Sequence, residues 1–137
     1  MEMSVGKILI SMILLVWLVG LAVAQEAEDA NSPIGIWRGA SICASAPPSC
    51  HDEQVVYYIE AIPDHPDSVQ IRADKIVDGK SVTMGSGPWE YDRAKHTLSM
   101  GPEQRRWLLT VTGNRIGGTL TVPQNIVFRR MTLTKAN

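Results

Sequence analysis

The chain has 137 residues, 45% of them hydrophobic, and a formal net charge of −1 at pH 7. This length excludes a large multidomain enzyme and suits one small domain with a modest core. A charge balance near zero argues against a nucleic-acid-binding protein, because phosphate contacts require a basic surface.

Residues 1–24 have the pattern of a secretory signal peptide. Lys7 precedes an apolar run at residues 8–21, and the small residues Ala22-Val23-Ala24 form a cleavage site before Gln25. The alternative is an uncleaved helical anchor, because residues 8–24 approach the roughly 20 apolar residues that span a bilayer. The small-residue site favours cleavage. We therefore predict a secreted or periplasmic protein with no stable membrane span once the signal helix is removed.

The remainder of the chain reads as one β domain. Residues 25–33 are acidic and lack apolar periodicity, which predicts a mobile leader, and residues 34–135 form the domain. Alternating apolar residues and closely spaced turn signals indicate eight or nine short strands. A break at residues 85–88 separates two of them. The pattern predicts an all-β fold, a small antiparallel up-and-down barrel, because closure leaves no free sheet edge.

Two cysteines, Cys43 and Cys50, flank a loop near the end of the first predicted strand. In an oxidising compartment such a pair predicts a disulfide. The alternative is a metal site in which His51 and Asp52 join the two cysteines. A second pair of ligands is missing from the sequence, so we favour the disulfide and predict no metal.

The stretch from residue 105 to 135 predicts three antiparallel strands. A two-residue turn at Gly113-Asn114 aligns Val111 with Ile116, Leu109 with Gly118, and Trp107 with Leu120 on one face. The next connection, around residues 123–125, leaves two registers open. In one, Ile126, Phe128 and Arg130 share the face of Leu120. In the other, which buries more apolar residues, the face carries Val127, Arg129, Met131 and Leu133.

Charge is unevenly distributed along the sequence. Residues 25–92 contain 4 basic and 12 acidic residues, whereas residues 93–137 contain 8 basic and 1 acidic. In a closed barrel the first and last strands are neighbours, so this asymmetry predicts complementary pairs within the domain. The alternative is a basic face that binds an anionic partner.

The two ends of the predicted meander resemble those of lipocalins and related calycin barrels. Gly35-Ile36-Trp37 matches their G-x-W pattern, and Arg129-Arg130 lies in the last strand. The resemblance implies a lipocalin-like barrel in which Trp37 closes one end. It also implies that Arg129 or Arg130 packs across the indole as a cation–π pair.

No pattern in the sequence specifies a reaction. Three histidines, His51, His65 and His96, fall in or beside dissimilar loops without metal-binding spacing. The serines lie outside any nucleophile-elbow pattern, and Gly79-Lys80-Ser81 reads as part of a hairpin turn, because no helix follows it. We predict a non-catalytic protein without a cofactor.

Aromatic residues occur on most predicted strands, and they either fill the barrel or line a pocket at one mouth. For a pocket, the sequence favours Tyr57, Trp89, Tyr91 and Trp107 as ligand-binding residues, with Arg129 as polar anchor. The first hypothesis is therefore a carrier of a small apolar or amphipathic molecule. The alternative is an interaction or inhibitor module that binds an envelope or protein partner through its loops and basic C-terminal strands. A cavity lined by three or more of the four aromatics would favour the carrier.

Overall fold

The protein is described by a computed structural model covering residues 29–45 and 47–136. The predicted signal peptide and residues 25–28 of the predicted leader lie outside the described residues. Within the described part, no helix is long and apolar enough to cross a membrane. The described chain contains eight strands and one short 3₁₀ turn at Pro123–Asn125: β1 (Gly35–Cys43), β2 (Glu53–Ala61), β3 (Ser68–Val77), β4 (Lys80–Asp92), β5 (Thr97–Met100), β6 (Arg106–Thr112), β7 (Arg115–Val122) and β8 (Ile126–Lys135).

Each strand pairs with the next in antiparallel fashion, and β8 pairs with β1 to close an eight-stranded barrel. This confirms the predicted all-β up-and-down barrel. The alternation along the strands explains the closure, since every strand places apolar side chains on the inner face. The buried inner residues include Ile59, Ile71, Leu98, Leu109 and Leu133.

The C-terminal strands follow the predicted register. Val111 lies beside Ile116, Leu109 beside Gly118, and Trp107 beside Leu120. Between β7 and β8 the structure combines features of both registers that the sequence left open. The three-residue connection Pro123–Asn125 aligns Val122 with Ile126.

A one-residue irregularity in that ladder then changes the face that β8 presents. The partner of Leu120 is Arg129, and that of Thr121 is Val127, so Phe128 is the extra residue. Such a bulge bends the strand and reverses the side-chain alternation. Consequently Arg129, Met131 and Leu133 face inward as favoured, and Phe128 also lines the interior mouth.

One prediction about the strands is wrong. Residues 85–88 do not divide two strands, because β4 runs without interruption from Lys80 to Asp92. Most of β4 pairs with β3 alone, and pairing with β5 is confined to Glu90–Asp92. A proline such as Pro88 is tolerated in a segment with one unpaired edge, since that edge requires no N–H donor.

The barrel is closed at the end where β1 begins. Trp37 is fully buried there, and its Nε1 donates a hydrogen bond of 2.8 Å to the carbonyl oxygen of Pro33. Asn31 accepts a 2.8 Å hydrogen bond from the backbone N–H of Gly113, in the β6–β7 turn. Residues 31–33, which the sequence assigned to the leader, thus lie against this closed end.

The cation over Trp37 differs from the one that the family resemblance implied. Lys135 Nζ lies 5.6 Å from the centroid of the indole ring. Arg129 and Arg130 instead align with Cys43 and Ile42, at the opposite end of β1. The reason is the antiparallel pairing of β1 with β8, which sets the end of β8 beside the start of β1.

Candidate functional site

A cavity of about 600 Å³ opens at the other end of the barrel, where β1 ends and β2 begins. We call it the mouth cavity. Its walls come from seven of the eight strands, all except β3, and from the loop between Cys43 and Cys50. The residues that line it are Ser41, Pro47, Ser49, Cys50, His51, Glu53, Val55, Tyr57, Met84, Gly85, Trp89, Met100, Arg105, Trp107, Leu120, Phe128 and Arg129.

The floor of the mouth cavity is aromatic and apolar. Tyr57 and Trp89 are both buried and meet edge to face, with 6.3 Å between ring centroids. Val55 and Leu120 complete the floor beneath them. Burial raises the pKa of the Tyr57 phenol, the Glu53 carboxylate adds to this effect, and Arg129 opposes it. The hydroxyl is therefore a neutral hydrogen-bond donor at physiological pH, suited to the polar atom of an otherwise apolar molecule.

One side of the mouth cavity is open because β4 pairs with β5 only at Glu90–Asp92. Residues 80–89 pair with β3, whereas β5 is only four residues long. Met84 and Met100 flank the resulting gap, and each is about 40% exposed. Methionine side chains are flexible and polarisable, so they adapt to apolar molecules of different shapes.

Gly85 keeps this gap wide. A Cβ atom built at Gly85 would meet nothing within 4 Å, and its backbone is not in the left-handed region. At Gly118, by contrast, a Cβ would collide with the backbone of Leu108 and Leu109. The tight packing of the barrel explains Gly118, whereas Gly85 leaves space that no described residue occupies.

The predicted disulfide joins Cys43 to Cys50 and confirms the preferred interpretation of the two cysteines. Both sulfur atoms are therefore engaged, which excludes the alternative metal site at this loop. Asp52 also contributes to the loop, because its Oδ1 accepts a 2.8 Å hydrogen bond from the backbone N–H of Cys43. The loop is thus fixed beside the mouth cavity at both ends.

Arg129 faces inward as predicted, but both of its Nη groups already donate to the protein. Nη1 donates to the carbonyl oxygen and the hydroxyl of Ser41, both at 3.1 Å. Nη2 donates to the carbonyl oxygen of His51 at 2.8 Å and to Sγ of Cys50 at 3.4 Å, and Glu53 lies 3.8 Å away. This geometry makes Arg129 a clamp between β1, β8 and the disulfide loop.

Arg105, the residue before β6, is a cation that the sequence analysis did not include in the pocket. It is exposed at the rim of the mouth cavity, with its guanidinium carbon 5.7 Å from the centroid of the Phe128 ring. Strand direction offered a signal for it, since alternate strands of a meander begin at the same end. The bulge that turns Phe128 toward Arg105 left no signature in the sequence.

Of the five ligand-binding residues predicted, the structure brings four together. Tyr57, Trp89, Trp107 and Arg129 all line the mouth cavity, and Trp107 is half-buried. Tyr91 lines a separate hollow of about 390 Å³ at the closed end. It cannot share a pocket with the other four, because the filled core lies between the two ends.

Although it borders this hollow, the Tyr91 side chain is largely buried in the core. Arg93 lies 5.7 Å from the centroid of its ring. Burial raises the pKa of Tyr91, with Asp29 adding to the effect and Arg93 opposing it. Nothing in this geometry couples the tyrosine to the mouth cavity.

Ion pairs within the barrel join the basic C-terminal part of the chain to its acidic N-terminal part. Arg106 lies 3.1 Å from Glu90, and Arg129 lies 3.8 Å from Glu53, so both pairs join the basic C-terminal part to the acidic N-terminal part. These contacts support the interpretation of complementary pairs in one domain.

Asp74 links β3 to β4 through hydrogen bonds on the outer face of the barrel. Asp74 is buried and accepts 2.8 Å hydrogen bonds from the hydroxyls of Ser81 and Thr83. Arg72 lies 3.4 Å from the same carboxylate. Desolvation acts to raise the pKa of Asp74, but these hydrogen bonds and the Arg72 charge together lower it. The carboxylate thereby holds β4 against β3 at the irregularity between Ala73 and Asp74.

Within residues 29–45 and 47–136, no group of three or more His, Cys, Asp or Glu residues is arranged to hold a metal ion. No family model, curated protein or solved structure matches this chain. The function therefore has to be argued from the barrel and its cavity.

Proposed function

We propose that this protein is an exported, non-catalytic binding protein that holds a small apolar or amphipathic molecule in the mouth cavity. The observation that carries the proposal is the cavity itself, which is lined by Tyr57, Trp89 and Trp107. Three of the four aromatics predicted for a pocket thus share one cavity, whose volume is in the range of small-molecule sites.

The distribution of polar and apolar groups supports an amphipathic ligand. The floor is aromatic and aliphatic, so burial of a ligand there gains about 25 cal/mol for each Å² of apolar surface removed from water. The charged residues that line the cavity are Glu53, Arg105 and Arg129, and Arg105 lies exposed at the rim. A ligand with an apolar body and one polar end would match this gradient.

Export is supported by two observations that are independent of the cavity. The first 24 residues have the pattern of a signal peptide, and the Cys43–Cys50 disulfide is typical of oxidising compartments. The alternative role, a module that binds proteins through a basic face, receives less support. Arg106 and Arg129, two of its basic residues, have acidic partners within the barrel.

Native mass spectrometry of protein purified gently from the exported fraction of its own host tests the proposal. We expect an added mass of a few hundred daltons that disappears on denaturation. In Gly85→Phe the new ring would occupy open space beside the gap, so we expect this variant to lose the added mass. Thr110→Phe, which places the same ring on the exposed face of β6, should retain it.

A bare native mass, combined with no change in tryptophan fluorescence on addition of dodecanol, would contradict the carrier role. Trp89 and Trp107 line the mouth cavity, so an apolar molecule entering it has to change their emission.

A further inference from the structure

Three arginines lie at or near the rim of the mouth cavity, and two of them are satisfied by the barrel. Arg129 donates to Ser41, Cys50 and His51.

Arg106 donates to the carbonyl oxygen of Gly101 at 2.8 Å, and to Glu90 and Ser99 at 3.1 Å each. Most N–H donors of both guanidiniums are therefore engaged in contacts that stabilise the fold.

Arg105 differs from both. Its backbone N–H donates to the carbonyl oxygen of Pro102 at 3.0 Å, which fixes the turn before β6. Within the described residues its guanidinium forms no hydrogen bond or ion pair, and its contact is with the face of Phe128. Stacking on an aromatic ring orients a guanidinium while leaving its N–H groups available to an anion.

The charges around the cavity are therefore unbalanced. Glu53 is the acidic residue among those that line the cavity, and it lies 3.8 Å from Arg129. The pair leaves the positive charge of Arg105 without a partner among the described residues. An unpaired cation at the edge of an apolar cavity attracts an anion whose apolar part can enter the cavity.

We propose that the ligand is an organic anion whose charged group binds Arg105 and whose apolar part enters the mouth cavity between Met84 and Met100. This inference rests on the proposed carrier function and names the chemical class of its ligand. The rim position suits a charged group, because a carboxylate or sulfonate there remains partly hydrated and its desolvation cost stays small. Only the apolar part needs to reach Trp89 and Trp107.

Two probes with the same chain test this inference, dodecanoate and dodecanol, each below its critical micelle or solubility limit. Binding is followed by the fluorescence of the mature protein at low and high KCl. We expect dodecanoate to bind roughly tenfold more tightly than dodecanol at low salt, with the preference falling as salt rises. Arg105→Gln should abolish the preference by weakening the binding of dodecanoate to about the level of dodecanol.

Arg115→Gln serves as the matched control, because Arg115 is equally exposed but lies at the closed end, at the start of β7. It should retain the full preference for dodecanoate. A preference that persists in Arg105→Gln would overturn the assignment to Arg105.

The outcomes separate the two proposals. Equal affinity of the wild-type protein for both probes would overturn the anion inference while leaving the carrier function in place. Binding of neither probe, together with a bare native mass, would overturn both.

Discussion

The two ends of this barrel are built from the same eight strands, yet one is covered by a preceding segment and the other is open. At the closed end, residues 31–33 cover the core, and Trp37 is fully buried with its indole N–H bonded to Pro33. At the open end, Tyr57 and Trp89 form the floor of a cavity of about 600 Å³. The comparison shows that aromatic residues in one small barrel can pack beneath a covering segment at one end and line an open cavity at the other.

Side chains and strand length create this difference. The closed end is covered by a segment that precedes β1, whereas the disulfide loop at the open end lines the wall of the cavity and is bonded to Arg129. β5 has only four residues, so β4 pairs with β3 but lacks a second neighbour along most of its length. Stability should therefore reside at the closed end, and binding at the open end.

The largest effect is expected from two matched tryptophan substitutions. Trp37→Ala should lower the free energy of unfolding by about 3–5 kcal/mol, because it creates a cavity in a packed core. Trp107→Ala should cost much less, since Trp107 is half-buried beside existing space. Denaturant titration of both variants measures the difference. Equal losses would show that the two ends are packed alike.

The second comparison concerns the arginines of β8. Arg129→Gln should lower the free energy of unfolding by about 2 kcal/mol, because Ser41 and His51 lose a charged donor. Arg130→Gln, at the neighbouring exposed position, should change stability by less than about 0.5 kcal/mol. Thermal denaturation of the two variants checks this prediction. If Arg129 were chiefly a ligand contact, both substitutions would leave the melting temperature close to that of the wild type.

Two glycines provide a third comparison. Gly118→Ala should destabilise the barrel by roughly 1–3 kcal/mol, since the added methyl group collides with the β6 backbone. Gly85→Ala should be neutral or stabilising by up to about 1 kcal/mol, because its methyl group meets open space and glycine is unfavourable within strands. Urea unfolding midpoints test the sign of each effect. A destabilising Gly85→Ala would mean that β4 requires glycine for its own fold.

The smallest effect should depend on pH. The folded-state pKa of Asp74 is lowered, so its ionised form stabilises the protein above its unfolded value of 3.8. This contribution is lost as the pH falls from 3.8 through the lower folded-state pKa. Asp74→Asn should therefore reduce stability at neutral pH and make the loss of stability in acid less steep. Stability curves of the two proteins that run parallel down to pH 2 would contradict this assignment.

Local patterns predicted the fold better than the cavity. Alternation and the Gly113-Asn114 turn were sufficient to place Leu109 beside Gly118 and Trp107 beside Leu120. Strand β4 was misjudged at Pro88, because sequence cannot show that a neighbouring strand is short. The bulge at Phe128 likewise depends on packing between strands, and sequence reasoning could only offer two registers.

The candidate site shows the same division between local and long-range information. The inward orientation of Arg129 was predicted from the favoured register, whereas Tyr57 and Trp89 were chosen as aromatic residues on predicted strands; all three line the mouth cavity. Position along the barrel axis was harder to predict, which is why Tyr91 was grouped with residues of the opposite end. The loss of Arg129 as a free anchor, and the availability of Arg105, depend on hydrogen bonds that join distant segments.

The indole N–H signals in a ¹H–¹⁵N NMR titration with dodecanol test the contrast between the two ends most directly. Residues 29–136 contain three tryptophans, Trp37 at the closed end and Trp89 and Trp107 at the open end. We predict that the signals of Trp89 and Trp107 shift in a saturable manner while that of Trp37, bonded to Pro33, stays in place. A saturable shift of Trp37 alone, or no shift of any of the three, would contradict the assignment of binding to the mouth cavity.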